Sequence, residues 1–141
     1  MPVYQCFVRE GSITDAMRAE IAGEITRLHV EATGAPRSFV NVLVFDVPDG
    51  HMFTAGEPSP TSIIGGTIRA GRTLEVRQQL LTDLSEMWTR VTGQSERELI
   101  VGLTEVDASS VMEAGLIFPQ PGQEAEWLEQ NRDKLAALHA L

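Results

Sequence analysis

The chain is 141 residues long, 43% hydrophobic and 22% charged, the balance of a globular domain with one core rather than of a disordered, collagenous or membrane-spanning chain. With 11 Lys and Arg against 20 Asp and Glu, the formal charge is -9, which repels phosphate backbones and anionic lipids and sets aside nucleic acid and membranes as partners. Cys6 is the single cysteine and Lys134 the single lysine, so a disulfide framework, a cysteine metal cage and Schiff-base chemistry have almost no material to work with. The opening MPVYQCFVREG lacks a basic leader followed by a long apolar run, and a cytoplasmic protein is the expectation.

Residues 2–9 alternate as a strand, with Tyr4, Cys6 and Val8 on one side and Val3, Gln5 and Phe7 on the other. Ser12-Ile13-Thr14-Asp15 resembles a capping box, after which Ile13, Met17, Ile21, Ile25 and Leu28 recur at helical spacing until Gly34 supplies a stop. Residues 39–47, FVNVLVFDV, are almost continuously apolar, which predicts a strand buried on both faces. Residues 49–60, rich in Gly and Pro, read as a connection that can hold a small hairpin.

The second half repeats the first. Thr33-Gly34 recurs as Thr92-Gly93, and at that same shift Arg18 meets Arg77, Ile21 meets Leu80, Ile25 meets Leu84, Leu28 meets Met87 and Val42 meets Val101. With one residue lost in the second strand-to-helix turn, Arg9 meets Arg69 and Gly11 meets Gly71. The order strand, helix, strand therefore occurs twice, over about 2–47 and 62–107, within a single domain spanning 1–141. Two such units predict an α+β fold, a four-stranded mixed sheet with both helices on one face. The other face needs a cover, which a homo-oligomer supplies. The tail, 108–141, reads as a short helical stretch around 109–114, an irregular FPQPGQ segment and a last helix over about 124–139, docked by Trp127, Leu128, Leu135 and Leu138.

Five residues carry candidate chemistry. Pro2 follows the initiator methionine, and loss of Met1 would leave a secondary amine able to serve as general base or acid; otherwise Pro2 merely begins an edge strand. Arg69 and Arg72 flank the start of the second helix, where a carboxylate is well received, unless they are solvated loop arginines offsetting acids such as Glu75. His29 lies on the apolar stripe of the first helix with Trp88 as its counterpart, so it either packs or faces a pocket in the first unit alone. Glu113 has apolar neighbours that would partly desolvate it. The three histidines, 29, 51 and 139, lack metal-ligand spacing, and no metal is expected. Gly65-Gly66 reads as a bulge or close packing rather than a phosphate cradle.

Pro2, His29, Arg69, Arg72, Glu113 and the segment FPQPGQEAEW at 118–127 together resemble the tautomerase superfamily, and within it the cis-3-chloroacrylic acid dehalogenase group. The resemblance implies a homotrimer in which sheets line a central barrel, no cofactor and a small carboxylate substrate, a 2-oxo acid or 3-haloacrylate. It implies Pro2 as general base or acid, Arg69 and Arg72 as carboxylate ligands, His29 on the substrate's carboxylate or carbonyl end, and Glu113 on a water. The family's last strand carries a tyrosine that assists Glu; this chain has Gly102 there. Enol-keto tautomerisation of a 2-oxo acid such as phenylpyruvate is the leading expectation. Haloacrylate dehalogenation or hydration, malonate semialdehyde decarboxylation and a non-enzymatic trimeric binding module are the alternatives.

Overall fold

A computed structural model describes residues 1–139, with no side-chain account of His139; the last two positions of the tail read as 108–141 lie outside the described residues. Four strands form one mixed sheet in the order β2-β1-β5-β6. β1 (Val3–Arg9) runs parallel to β2 (Asn41–Val47) and antiparallel to β5 (Ser62–Arg69), which is parallel to β6 (Leu99–Val106). α1 (Asp15–Thr33) and α2 (Leu74–Thr92) are the helices between the parallel pairs. Tyr4, Cys6 and Val8 of β1 and Ile64 and Ile68 of β5 share one core with Ile21 and Ile25 of α1 and Leu84 and Trp88 of α2, so both helices cover the same sheet face.

The helix ends repeat. Thr14 and Thr73 cap α1 and α2, each side chain accepting the N–H three residues on, and Gly34 and Gly93 end them in the left-handed region at φ 72° and 76°. The expected box at Ser12 is corrected: the cap is Thr14, while the Ser12 hydroxyl donates to the Arg9 carbonyl at 2.6 Å. Arg18 reaches Asp46 at 3.1 Å and Arg77 reaches Glu105 at 2.7 Å, tying each helix to the outer strand of its own unit.

β2 departs from its reading as doubly buried. It lies at the sheet edge, and Leu43 and Phe45 remain 44% and 42% exposed because no segment among the described residues crosses the face away from the helices. Ile100 of β6 is 53% exposed on that same face, and Phe7 stacks on Phe45 with ring centroids 5.2 Å apart.

The connection after β2 holds the hairpin β3 (Phe53–Thr54) and β4 (Glu57–Pro58). The helix expected around 109–114 is absent: a 3-10 turn over Ala108–Ser110 leads into the hairpin β7 (Met112–Glu113) and β8 (Leu116–Ile117). Ala114 at φ 53° and Gly115 at φ 76° make its two-residue turn, as Ala55 at φ 53° and Gly56 at φ 80° make the first. Helix cannot pass through two successive left-handed residues. The last expected helix is two, α3 (Glu124–Gln130) and α4 (Arg132–His139), broken at Asn131, whose side-chain amide donates to the Trp127 carbonyl at 2.8 Å. The tail docks through a second core of Phe39, Leu116 and Leu135, with Phe118, Trp127 and Leu138 against it.

Candidate active site

The C-terminal end of α1, the C-terminal end of β5 and the tail enclose a pocket of about 230 Å³ beside the start of β1. Met1, His29, Arg69 and Arg72 all line it. Its remaining wall is mainly apolar, with Phe39, Phe118, Trp127 and Leu128 the large contributors. Three of the five singled-out residues thus share one cavity. Pro2 is buried directly behind Met1, and its nitrogen is an amide while Met1 is attached. Glu113, on β7 and not on a helix, stands at the N-terminus itself: its carboxylate pairs with the Met1 ammonium. Burial lowers the pKa of that ammonium below the usual value of 8.0, and Glu113 opposes the shift through its hydrogen bond and charge.

Two partners of these residues escape a linear reading. Asn41, the first residue of β2, donates its side-chain amide to Glu113 at 3.0 Å, and its backbone N–H donates to the Pro2 carbonyl at 3.0 Å. Asn41 therefore fixes the strand that carries the N-terminus and the carboxylate beside it. Tyr4 is fully buried, and its hydroxyl lies 2.9 Å from His29 Nδ1. Burial pushes the phenol pKa well up, so it stays protonated, and it pulls His29 down to about 4, helped by the Arg72 charge and the N-terminal ammonium. His29 is thus neutral at pH 7. A Tyr4 hydroxyl that donates to Nδ1 leaves the ring proton on Nε2, the tautomer in which His29 can donate a hydrogen bond to a ligand.

The two arginines differ. Arg69 donates to the Pro119 carbonyl at 3.0 Å and to Glu124 at 2.7 Å. Arg72 makes no side-chain hydrogen bond or ion pair among the described residues, and burial followed by the Arg69 charge lowers its pKa. A guanidinium without a partner, half enclosed in an apolar cavity, is the strongest anion receptor the pocket presents. Among the described residues no cluster of three or more His, Cys, Asp or Glu is placed to hold a metal ion, and no helix is long and apolar enough to cross a membrane.

Gly66 belongs to the site's support. An added Cβ would stand 2.6 Å from Tyr4 Cε1 and 2.8 Å from Leu103 Cδ2, so the glycine makes room for the ring that holds His29. Gly102, by contrast, faces open space.

The family model of Tautomerase_3, described as "Putative oxalocrotonate tautomerase enzyme", matches residues 1–132. The chain belongs to the tautomerase superfamily. Its place in the cis-3-chloroacrylic acid dehalogenase-like group follows from the structure of N1, a member of that family: 30% identity over 99% of both chains, TM-score 0.91. This superfamily member also resembles a probable tautomerase of Ralstonia nicotianae, 38% identical over 58 residues, which are 41% of this chain and 81% of the relative. That shorter relative matches a length close to one β-α-β unit. A fused 4-OT solved as an asymmetric trimer shares 25% identity at a TM-score of 0.74, covering 82% of this chain and 94% of its own.

Proposed function

We propose that this chain is an isomerase, a proline-based tautomerase that interconverts the enol and keto forms of a 2-oxo acid such as phenylpyruvate. The observation that carries the reading is the convergence of the N-terminus, neutral His29 and unpartnered Arg72 on one apolar pocket. Loss of Met1 would turn the Pro2 nitrogen into a secondary amine, at a place where burial already lowers the pKa of the Met1 ammonium, the direction a general base needs. The neutral amine takes the enol hydroxyl proton and returns a proton to C3, so the amine ends as it began. Arg72 holds the carboxylate, and His29 Nε2–H donates to the oxygen on which enolate charge develops. An aryl or alkyl group fits against Phe39, Phe118 and Trp127. Names of the relatives support the reaction class: a family of oxalocrotonate tautomerases and a probable tautomerase.

The exposed apolar face of β2 and β6, with Leu43, Phe45 and Ile100, favours assembly as a homotrimer, the state in which the fused 4-OT was solved. A second reading, hydration and dehalogenation of a 3-haloacrylate, is favoured by one observation, the Asn41-anchored Glu113 carboxylate beside the N-terminus. Gly102 offers no hydroxyl to assist it.

The test is ketonisation of phenylpyruvate enol, followed by ultraviolet absorbance on protein whose mass shows loss of Met1. Pro2→Ala and Arg72→Ala should each lower kcat/KM by roughly 10²-fold or more. An unchanged rate in Pro2→Ala sinks the proline mechanism, and halide release from a 3-haloacrylate would select the second reading. Met1 retained on the cellular protein would leave a binding module in place of an enzyme.

A further inference from the structure

Glu124 lines the same pocket as Arg69 and Arg72. One of its carboxylate oxygens accepts from Arg69 at 2.7 Å and the other from the Gly122 N–H at 2.8 Å. Its side chain is 44% exposed, whereas that of Arg69 is only 14% exposed. An internal carboxylate therefore occupies one of the two guanidiniums that could receive a substrate, and the Pro119 carbonyl takes another of its N–H groups. His29 adds no charge at neutral pH, and Glu113 matches the N-terminal amine when it is protonated and adds a further negative charge when it is not. Two arginines and one glutamate leave the seat with a single net positive charge and one open fork.

We propose that Glu124 is a specificity-determining residue that confines the pocket to monocarboxylates by occupying Arg69 and opposing a second carboxylate. The inference rests on the tautomerase reading for its substrate class and sharpens it. A monoanion brings the seat to neutrality. A dianion brings an excess negative charge beside Glu124 in a cavity walled by Phe39, Phe118 and Trp127. The family description names oxalocrotonate, a diacid; the charge count of this chain favours a monoacid.

The experiment is isothermal titration calorimetry at pH 7 with two unreactive probes, trans-cinnamate and trans,trans-muconate, on protein with one defined N-terminus. Wild type should bind cinnamate more tightly. Glu124→Gln, which removes the charge and keeps the size, should shift the affinity ratio toward muconate by about tenfold. If Glu124→Gln does not fold, Glu124→Ser carries the same expectation. A Glu124 that only braces residues 119–124 would lower the melting temperature of the variant and leave the ratio where it was, which overturns the proposal. Wild type that binds neither acid, or prefers muconate, overturns it as well. Because binding is read without turnover, protein inert toward phenylpyruvate that still shows the ratio shift would count against the tautomerase reading alone.

Discussion

The internal duplication builds the same corner twice, and only one corner becomes a site. In the first unit, the Thr33 hydroxyl donates to the His29 carbonyl at 2.7 Å and accepts from the Ala35 N–H at 3.2 Å. In the second, Thr92 makes the same pair of bonds to Trp88 and Gln94 at 2.7 and 3.1 Å. The backbones match; the side chains placed on them do not. Trp88 stands where His29 stands, and Gln94 where Ala35 lines the pocket. Gln94 accepts from Trp88 Nε1 at 2.8 Å and from the Ser62 hydroxyl at 2.7 Å, and donates to the Pro60 carbonyl at 2.9 Å. At the second corner Ser62 stands where Pro2 stands at the first, Ser12 where Arg72 does and Thr54 where Glu113 does, with the two hairpins in register. A second concavity, lined by Arg9, Ser12, Thr92 and Gln94, marks the equivalent place. It has one arginine, no histidine and no amine. The scaffold is thus indifferent to chemistry, and a handful of substitutions on it separates a satisfied polar corner from a reactive one.

The sharpest way to break that contrast is to truncate the two counterparts. Trp88 is fully buried against the core, and Trp88→Ala should cost about 3–5 kcal/mol, the range for large aromatic truncations that leave a cavity. His29→Ala should cost less, about 1–3 kcal/mol, chiefly from the stranded Tyr4 hydroxyl. Urea unfolding of both variants tests the order; equal losses would mean that His29 is packing, as Trp88 is.

A pH series separates the units next. The His29 pKa lies near 4 in the fold against 6.5 for the ordinary side chain, so between these values the unfolded chain binds more protons. Stability is fully present above pH 6.5 and is lost as pH falls, by roughly 3 kcal/mol at pH 4. His29→Gln removes this component, and Trp88 has no counterpart to it. The unfolding free energy of wild type and His29→Gln should converge as the pH drops; parallel curves would show that His29 is not held neutral by the fold.

How much of this was legible in the chain depends on how far apart the partners lie. Thr-Gly at 33–34 and 92–93 exposes the duplicated units because helix stops are local signals. His29, Arg69 and Arg72 stand out because each breaks the pattern of its own element. The contacts that tune them join Tyr4 to His29, Asn41 to Glu113 and Arg69 to Glu124, pairs separated by 25, 72 and 55 positions. No periodicity reports such meetings. The second hairpin was hidden for another reason: Ala114 takes a positive φ that glycine or asparagine would have advertised. Ala55 and Ala114 fall at equivalent places in the segments that follow the two units, and that repeat was the signal available.

Gly66 offers a smaller, more directed perturbation. Gly66→Ala would press on the Tyr4 ring and on Leu103, at a cost of about 1–3 kcal/mol if neighbours shift to admit the methyl. Since Tyr4 holds His29, the same substitution should also raise the histidine pKa, read by NMR titration of the ring protons. An intact titration with lost stability would separate the packing of Tyr4 from its hold on the histidine.

The smallest effects should be the most symmetric. Thr14 accepts from Met17 N–H at 3.1 Å and Thr73 from Val76 N–H at 3.2 Å, each satisfying a donor that the first turn of a helix cannot. The caps open helices of 19 residues each with exposed first turns, so Thr14→Ala and Thr73→Ala should each cost about 1 kcal/mol. The pocket lies beside the C-terminal end of α1 and the N-terminal end of α2, which gives the pair its use. Fraying α2 at Thr73 displaces Arg72, its immediate neighbour, while fraying α1 at Thr14 leaves His29 a full helix away. Equal losses in urea midpoint together with weaker cinnamate binding in Thr73→Ala alone would show the two units to be alike as scaffold and unlike as site. Equal losses of binding would mean that the helices move as one body and that the duplication is divided less cleanly than its hydrogen bonds imply.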